Sequence, residues 1–262
     1  MRGSLKACLA AAALLLSGAA VRAHAQRRAS PRPAASAAQS QPKKVSVRPE
    51  DDPNSPAAAK TPAATEAAPD SVAYTYEFSQ PDFFVYFVHI EHDEKGRGTI
   101  RFERRSDAEQ ITDPIEVAPA ALERIRAHWA ALKFLDSTEN YQGERTYPSQ
   151  GKTKLTMRQG GRERTAEFNY SQNAEAQGLA DEYRRLSEQA LLVFDLNVAV
   201  ESQPLETPKL INRLEELAER KYLSDTRQLL PLLRQLSEDE RVPLVGRNQA
   251  ARLLKKLDKQ TQ

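Results

Sequence analysis

Apolar residues recur with period two in the centre of the chain and with a helical period towards its C-terminus. The densest apolar run is Phe83-Phe84-Val85-Tyr86-Phe87-Val88-His89-Ile90. Aromatic and β-branched residues at this density predict a strand. Period two puts Phe84, Tyr86, Val88 and Ile90 on one face, and Phe83, Val85, Phe87 and His89 on the other. The next strand is predicted at Thr99–Arg104, after a loop whose Gly96 and Gly98 suit a hairpin. If Ile90 pairs near Ile100, the core face is Phe84, Tyr86, Val88, Ile90, Ile100 and Phe102. The stripe Phe83, Val85 and Phe87 is then left on the polar face and needs a cover: Val72–Phe78, the C-terminal helices, or a partner.

The flanking pattern extends the sheet. Val72–Phe78 alternates weakly and reads as an edge strand. Ile111–Val117 is interrupted by Pro114, which also suits an edge. Pro119 opens a helix to about Leu132 with Leu122, Ile125, Trp129 and Leu132 on one stripe. Asp136–Gly151 is a long polar loop, of the kind that is functional or mobile, and it carries Tyr141 and Tyr147. A second hairpin joins Lys152–Arg158 to Arg162–Tyr170 through Gln159-Gly160-Gly161. A long helix follows over about Ala174–Glu201. The order is two loosely similar ββα units. It predicts an α+β fold, an antiparallel sheet with both helices on one face.

Gln203–Pro208 breaks the chain, and the remainder is a small all-α tail of two or three helices. Thr207-Pro208 reads as an N-cap with proline at the first helical position. Ser224 or Asp225 caps the next helix, which Pro231 kinks or delays. Ser237-x-x-Glu240 has the form of a capping box before a last helix at about Pro243–Asp258. The tail is similar in architecture to one helical-hairpin repeat of the HEAT or tetratricopeptide kind. A single such unit is not stable alone, so it must pack on something, the second sheet face being the nearest candidate.

Composition adds a compartment. Arg2 and Lys6, the apolar run Ala7–Leu16 and Ala23-His24-Ala25 together read as a secretory signal peptide, 1–25, leaving Gln26 first in the mature chain. The apolar run is shorter than the ~20 residues of a membrane span. The expected location is periplasmic or secreted, with no transmembrane segment after cleavage. Residues 26–71 are rich in proline and alanine, lack large apolar side chains, and read as a disordered linker. The expected organisation is therefore 1–25, 26–71, an α+β domain over 72–202 and a helical region over 203–262. The one cysteine, Cys8, lies in the signal segment, so the mature chain has no thiol chemistry.

Charge and motifs exclude more than they assign. The net charge is +2, but residues 1–71 hold ten basic and five acidic side chains, leaving 28 basic and 31 acidic over 72–262. A folded part near −3 lacks the footprint of a nucleic-acid binder. His89 and His92 point to opposite faces of a strand and cannot share an ion. Gly151-Lys152-Thr153 lacks the glycine a phosphate loop needs at position 146. Ser149-x-x-Lys152 matches the nucleophile motif of penicillin-binding proteins, yet lies in a loop rather than at a helix start. Only His89, His92 and His128 remain for a triad, and His128 sits beside Trp129 as a core-edge residue. The arginine-rich stretches Arg101–Arg105 and Arg158–Arg164 read as cross-strand charge pairs. No catalytic, cofactor or metal site is expected.

The functional expectation is a non-enzymatic module that binds a protein or a cell-envelope polymer, through Phe83, Val85 and Phe87 or through Tyr141 and Tyr147 of the loop. Two alternatives stand beside it. One is a secreted hydrolase with its site in 136–151. The other is a carrier of a small apolar ligand in a cavity lined by Tyr86, Trp129, Phe168 and Phe194.

Overall fold

The computed structural model describes residues 71–261, which lie within one compact unit. The segment read as a signal peptide, and all but the last residue of the one read as a linker, lie outside them. Six strands, β1 (Ala73–Ser79), β2 (Val85–Asp93), β3 (Arg97–Arg104), β4 (Ile111–Glu116), β5 (Lys152–Gln159) and β6 (Arg162–Phe168), form one antiparallel sheet in the order β4-β3-β2-β1-β5-β6. Helices α1 (Pro119–Ala131) and α2 (Ala174–Ser202) pack on one face of it. The fold is α+β with a helical C-terminal region, α3 (Thr207–Glu219), α4 (Leu230–Glu238) and α5 (Leu244–Thr261).

Ile90 pairs with Ile100 and Val88 with Phe102, as the pattern predicts. Those four side chains meet Tyr74, Tyr76, Leu155 and Phe168 from the sheet, and Ile125, Trp129, Leu179 and Tyr183 from the helices, in one core. Gly98 allows β3 to lie against β2 at its far end. A Cβ there would sit 1.8 Å from the Glu91 carbonyl oxygen, so no side chain fits.

Three expectations are overturned. Val72–Phe78 is not an edge. β1 lies between β2 and β5, pairing with both, and its Tyr74 and Tyr76 are core residues. The tail does not cover the second sheet face. Ile211, Leu214, Leu233, Leu253 and Leu257 pack on Leu192, Leu196 and Val200 of α2, so α2 carries both cores on one rod. The capping box does not form, because Ser237 lies inside α4 and donates to the Arg234 carbonyl; Asp239 accepts the Arg241 N–H instead. Asp225 caps its turn as expected, and Pro231 delays α4 behind a 3₁₀ turn, Thr226–Leu229.

Period two also breaks within β2. Phe87 pairs with Glu103 but Val85 pairs with Arg104, so a β-bulge at Tyr86 inserts one residue. Beyond it the faces exchange. Val85 packs against the core, whereas the Tyr86 hydroxyl donates to Glu103 Oε2 at 2.7 Å. Phe84 is not in the core, and Phe83 and Phe84 lie in the turn before β2 rather than in the strand.

A buried hydrogen-bonded chain joins the sheet to both helices. Trp129 Nε1–H donates to the Tyr183 hydroxyl at 3.2 Å, that hydroxyl lies 2.8 Å from His92 Nε2, and His92 Nδ1 lies 2.8 Å from the Asp93 carbonyl. Every group is satisfied when His92 is neutral, with Nδ1–H donating to Asp93 and Nε2 accepting from Tyr183. Burial pushes the Tyr183 phenol up and holds His92 below its usual value. The neighbouring Tyr76, stacked on Tyr183 at 4.9 Å, is pushed up to about 12, again by burial.

Tyr183→Phe orphans the Trp129 N–H and one His92 nitrogen, so we expect a loss of about 1–3 kcal/mol in denaturant unfolding; a change under about 0.5 kcal/mol would contradict the role. The same chain predicts a pH effect. With His92 lowered in the fold, the unfolded chain takes up its proton first as pH falls below about 6.5. Stability is therefore full above that pH and declines below it, by up to about 1.4 kcal/mol per pH unit per histidine. His89, also lowered by burial and then by Arg101, acts in the same direction. Unfolding curves across pH 7.5 to 5.5 check this, with a shallower decline expected in His92→Gln.

Candidate functional site

The C-terminal ends of β1 and β3 and the start of β2 meet at one end of the sheet, and the chain crosses there through Gln80–Phe84. Phe83 is 44% exposed and Phe84 58% exposed. Their turn is held from several sides. The Gln80 N–H donates to the Tyr86 carbonyl at 2.8 Å and the Phe83 N–H to the Gln80 carbonyl at 3.0 Å. Arg105 binds the turn three times, through its backbone N–H to the Phe84 carbonyl at 3.0 Å, Nε to the Phe83 carbonyl at 3.2 Å, and Nη2 to the Pro81 carbonyl at 2.6 Å. The buried Gln80 amide donates to the Pro148 carbonyl at 2.7 Å, fastening the turn to the end of the 136–151 loop. Phe83 also rests on Phe78, ring centroids 6.0 Å apart.

Beside these rings lies a shallow, open hollow of about 380 Å³, lined by Ser79, Pro81, Tyr86, Phe87, Glu103 and Arg105. It is mostly apolar. The bulge makes it, because it turns Tyr86 to the same side as Phe87. Glu103 accepts from the Tyr86 hydroxyl and from Gln110 Nε2 at 2.8 Å, which fixes the hollow's polar edge.

The five residues expected to bind a partner separate. Phe83 and Phe87 stand at this site. Val85 does not, since the bulge turns it towards the core. Tyr141 is 2% exposed, in ring contact with Phe134 and Phe168, and is a core residue rather than a surface one. Arg164 buries it, donating to the Phe134 carbonyl at 2.7 Å, the Tyr141 hydroxyl at 3.1 Å and the Glu139 carbonyl at 2.6 Å, with its guanidinium 4.6 Å over the Phe134 ring. Tyr147 stays at the surface against Tyr170, one residue from the Pro148 that binds Gln80. Phe84, Tyr86 and Arg105 are parts of the site that the pattern placed elsewhere. Pro81-Asp82 is a turn signal, and the turn it opens runs on through Phe83 and Phe84 before β2 begins.

The rest of the chemistry-bearing inventory is scattered. Ser149 is exposed on a 3₁₀ turn and Lys152 is paired with Glu167. His92 is interior, His89 lies on the open sheet face 3.6 Å from Glu77, and His128 pairs with Glu175 at 2.7 Å. Among the described residues no group of three or more His, Cys, Asp or Glu is placed to hold a metal ion. Tyr86 faces away from Trp129 and Phe168, so the four residues of the carrier reading do not line one cavity.

The open sheet face is solvated and largely self-paired, by Arg158–Glu163 at 2.7 Å and Lys154–Glu77 at 4.0 Å. The arginine stretches are cross-strand pairs only in part. Arg104 pairs with Asp195 of α2 at 2.6 Å, while Arg105 and Arg164 bind loop carbonyls. Among the described residues no helix is long and apolar enough to cross a membrane. No protein-family model matches the chain, and no curated protein matches it.

Arg105→Ala removes two of the three bonds that Arg105 gives the turn, at an exposed position. We expect stability to change by about 1 kcal/mol or less. Backbone order parameters at Asp82 and Phe83 should fall from about 0.85 towards 0.6. Order parameters that stay at the level of the neighbouring strands would show that the turn is held without Arg105.

Proposed function

We propose that the protein is a non-enzymatic binding module, exported to the periplasm or secreted, that engages a protein or envelope component through the Phe83–Phe84 turn and the hollow beside it. The observation that carries the reading is an adjacent pair of exposed phenylalanines on a turn fixed by Arg105 and Gln80. Two large rings left in water add little burial energy to an isolated molecule, and contiguous exposed apolar surface marks interaction sites. Fixing them in advance removes ordering entropy from association. Aromatic anchors of this kind dominate interface energetics. Export rests on the signal-peptide pattern of residues 1–25.

The hydrolase reading has no supporting observation in the 136–151 loop, which is pinned by Arg164 and Asn169 and leaves Ser149 exposed on a 3₁₀ turn. The carrier reading loses its lining residues.

The test is a crosslinking pull-down from cell envelope with residues 72–262 as bait, comparing the parent with the Phe83→Ser and Phe84→Ser double variant. Both positions are exposed, so folding should survive within about 0.5 kcal/mol, checked by circular dichroism. The reading expects a reproducible partner whose recovery drops by about thirtyfold or more in the variant, as loss of an anchor of about 2 kcal/mol requires. Equal recovery by both baits would overturn it.

A further inference from the structure

The charges around the aromatic turn select among possible partners. Asp82 lies in the turn itself and is exposed. Glu103 edges the hollow, and Asp107 and Glu109 follow in the segment 105–110, which Arg105 holds directly against Phe84. The cations nearby are fewer than the carboxylates. Arg104 is mostly buried and pairs with Asp195 at 2.6 Å and, more distantly, with Asp107 at 4.0 Å; Arg105 bonds the neutral Pro81 and Phe83 carbonyls; and Lys152, across β1 from Phe87, is paired with Glu167. Among the described residues Asp82, Glu103 and Glu109 form no such ion pair, so the apolar knob and hollow sit inside a net acidic collar. Glu103 accepts its two bonds from Tyr86 and Gln110 at the edge of that collar.

Building on the binding reading, we infer that the occupant is a protein segment presenting an apolar side chain to the hollow with lysine or arginine on either side of it. An acidic polymer or an anionic membrane would bring negative charge against the collar. Like-charge juxtaposition at an interface costs several kcal/mol, and complementary charge steers encounter. The inference thus separates the two partner classes that sequence composition leaves open, because the apolar rings alone would serve either.

Three probes test it on residues 72–262. One is a pool of fluorescent hexapeptides with two central apolar residues flanked by lysine, one a matching glutamate-flanked pool, and one a preparation of phosphatidylglycerol vesicles. The lysine pool should bind at least about tenfold more tightly than the glutamate pool, and its binding should weaken as salt shortens the Debye length below about 10 Å. The Asp82→Asn, Asp107→Asn, Glu109→Gln triple variant should lose that preference, and Phe83→Ser with Phe84→Ser should abolish binding to the lysine pool. Equal affinity for the two pools, a preference for glutamate, or phenylalanine-dependent vesicle binding would each overturn the inference while leaving the binding reading in place. No phenylalanine-dependent binding to any probe would overturn both.

Discussion

Burial on one face only governs this structure. Helices α1 and α2 cover a single side of the six-stranded sheet, and the helical tail goes to the far half of α2 instead of the other side. Each strand can then hide only alternate side chains. β1, β3 and β5 meet that demand with plain alternation. β2 cannot, because its first half is apolar on both faces. The bulge at Tyr86 resolves the conflict by inserting one residue, which sends Val85 inward and leaves Tyr86 and Phe87 outward. The exposed aromatic site is thus a consequence of how the core is filled.

The Tyr183 hydroxyl shows how the covered face is made specific. Apolar packing alone would allow the helices to slide on the sheet. A buried hydroxyl shared by Trp129 of α1 and His92 of β2 fixes their positions, because leaving any member unpaired in the core costs more than the bonds contribute. α2 then transmits that placement to the tail. Arg124 of α1 reaches across to Glu182 of α2 at 2.8 Å and to the Ser224 carbonyl at 2.9 Å. Gln228 donates to the Glu116 carbonyl of β4 at 3.0 Å, so the tail and the sheet domain are joined by polar contacts as well as by α2.

Local signals carried much of this fold. The Ile90–Ile100 register follows from matching faces across a hairpin, and the spans of α1 and α2 follow from their helical period and their flanking breaks. What local pattern misses is non-local. β1 reads as an edge because its own alternation is weak, yet pairing with both β2 and β5 puts it at the centre. Tyr141 reads as exposed because its loop has no period, and Arg164 and Phe168, far along the chain, together with Phe134 draw it into the core. At the site, Phe83 and Phe87 were legible as apolar residues in need of a cover. Phe84 was not, since period two was carried back to Phe83, whereas β2 begins only at Val85.

The central claim is that this end of the sheet, and not merely any exposed ring, meets a partner. Tyr222, just beyond α3, is 57% exposed against 58% for Phe84, which makes it a matched control. The most direct measurement places a photocrosslinking phenylalanine analogue at position 84 or at position 222 of the full chain in living cells. The account predicts a discrete adduct from position 84 that is missing from position 222. No adduct from 84, or the same adduct from both, would contradict it.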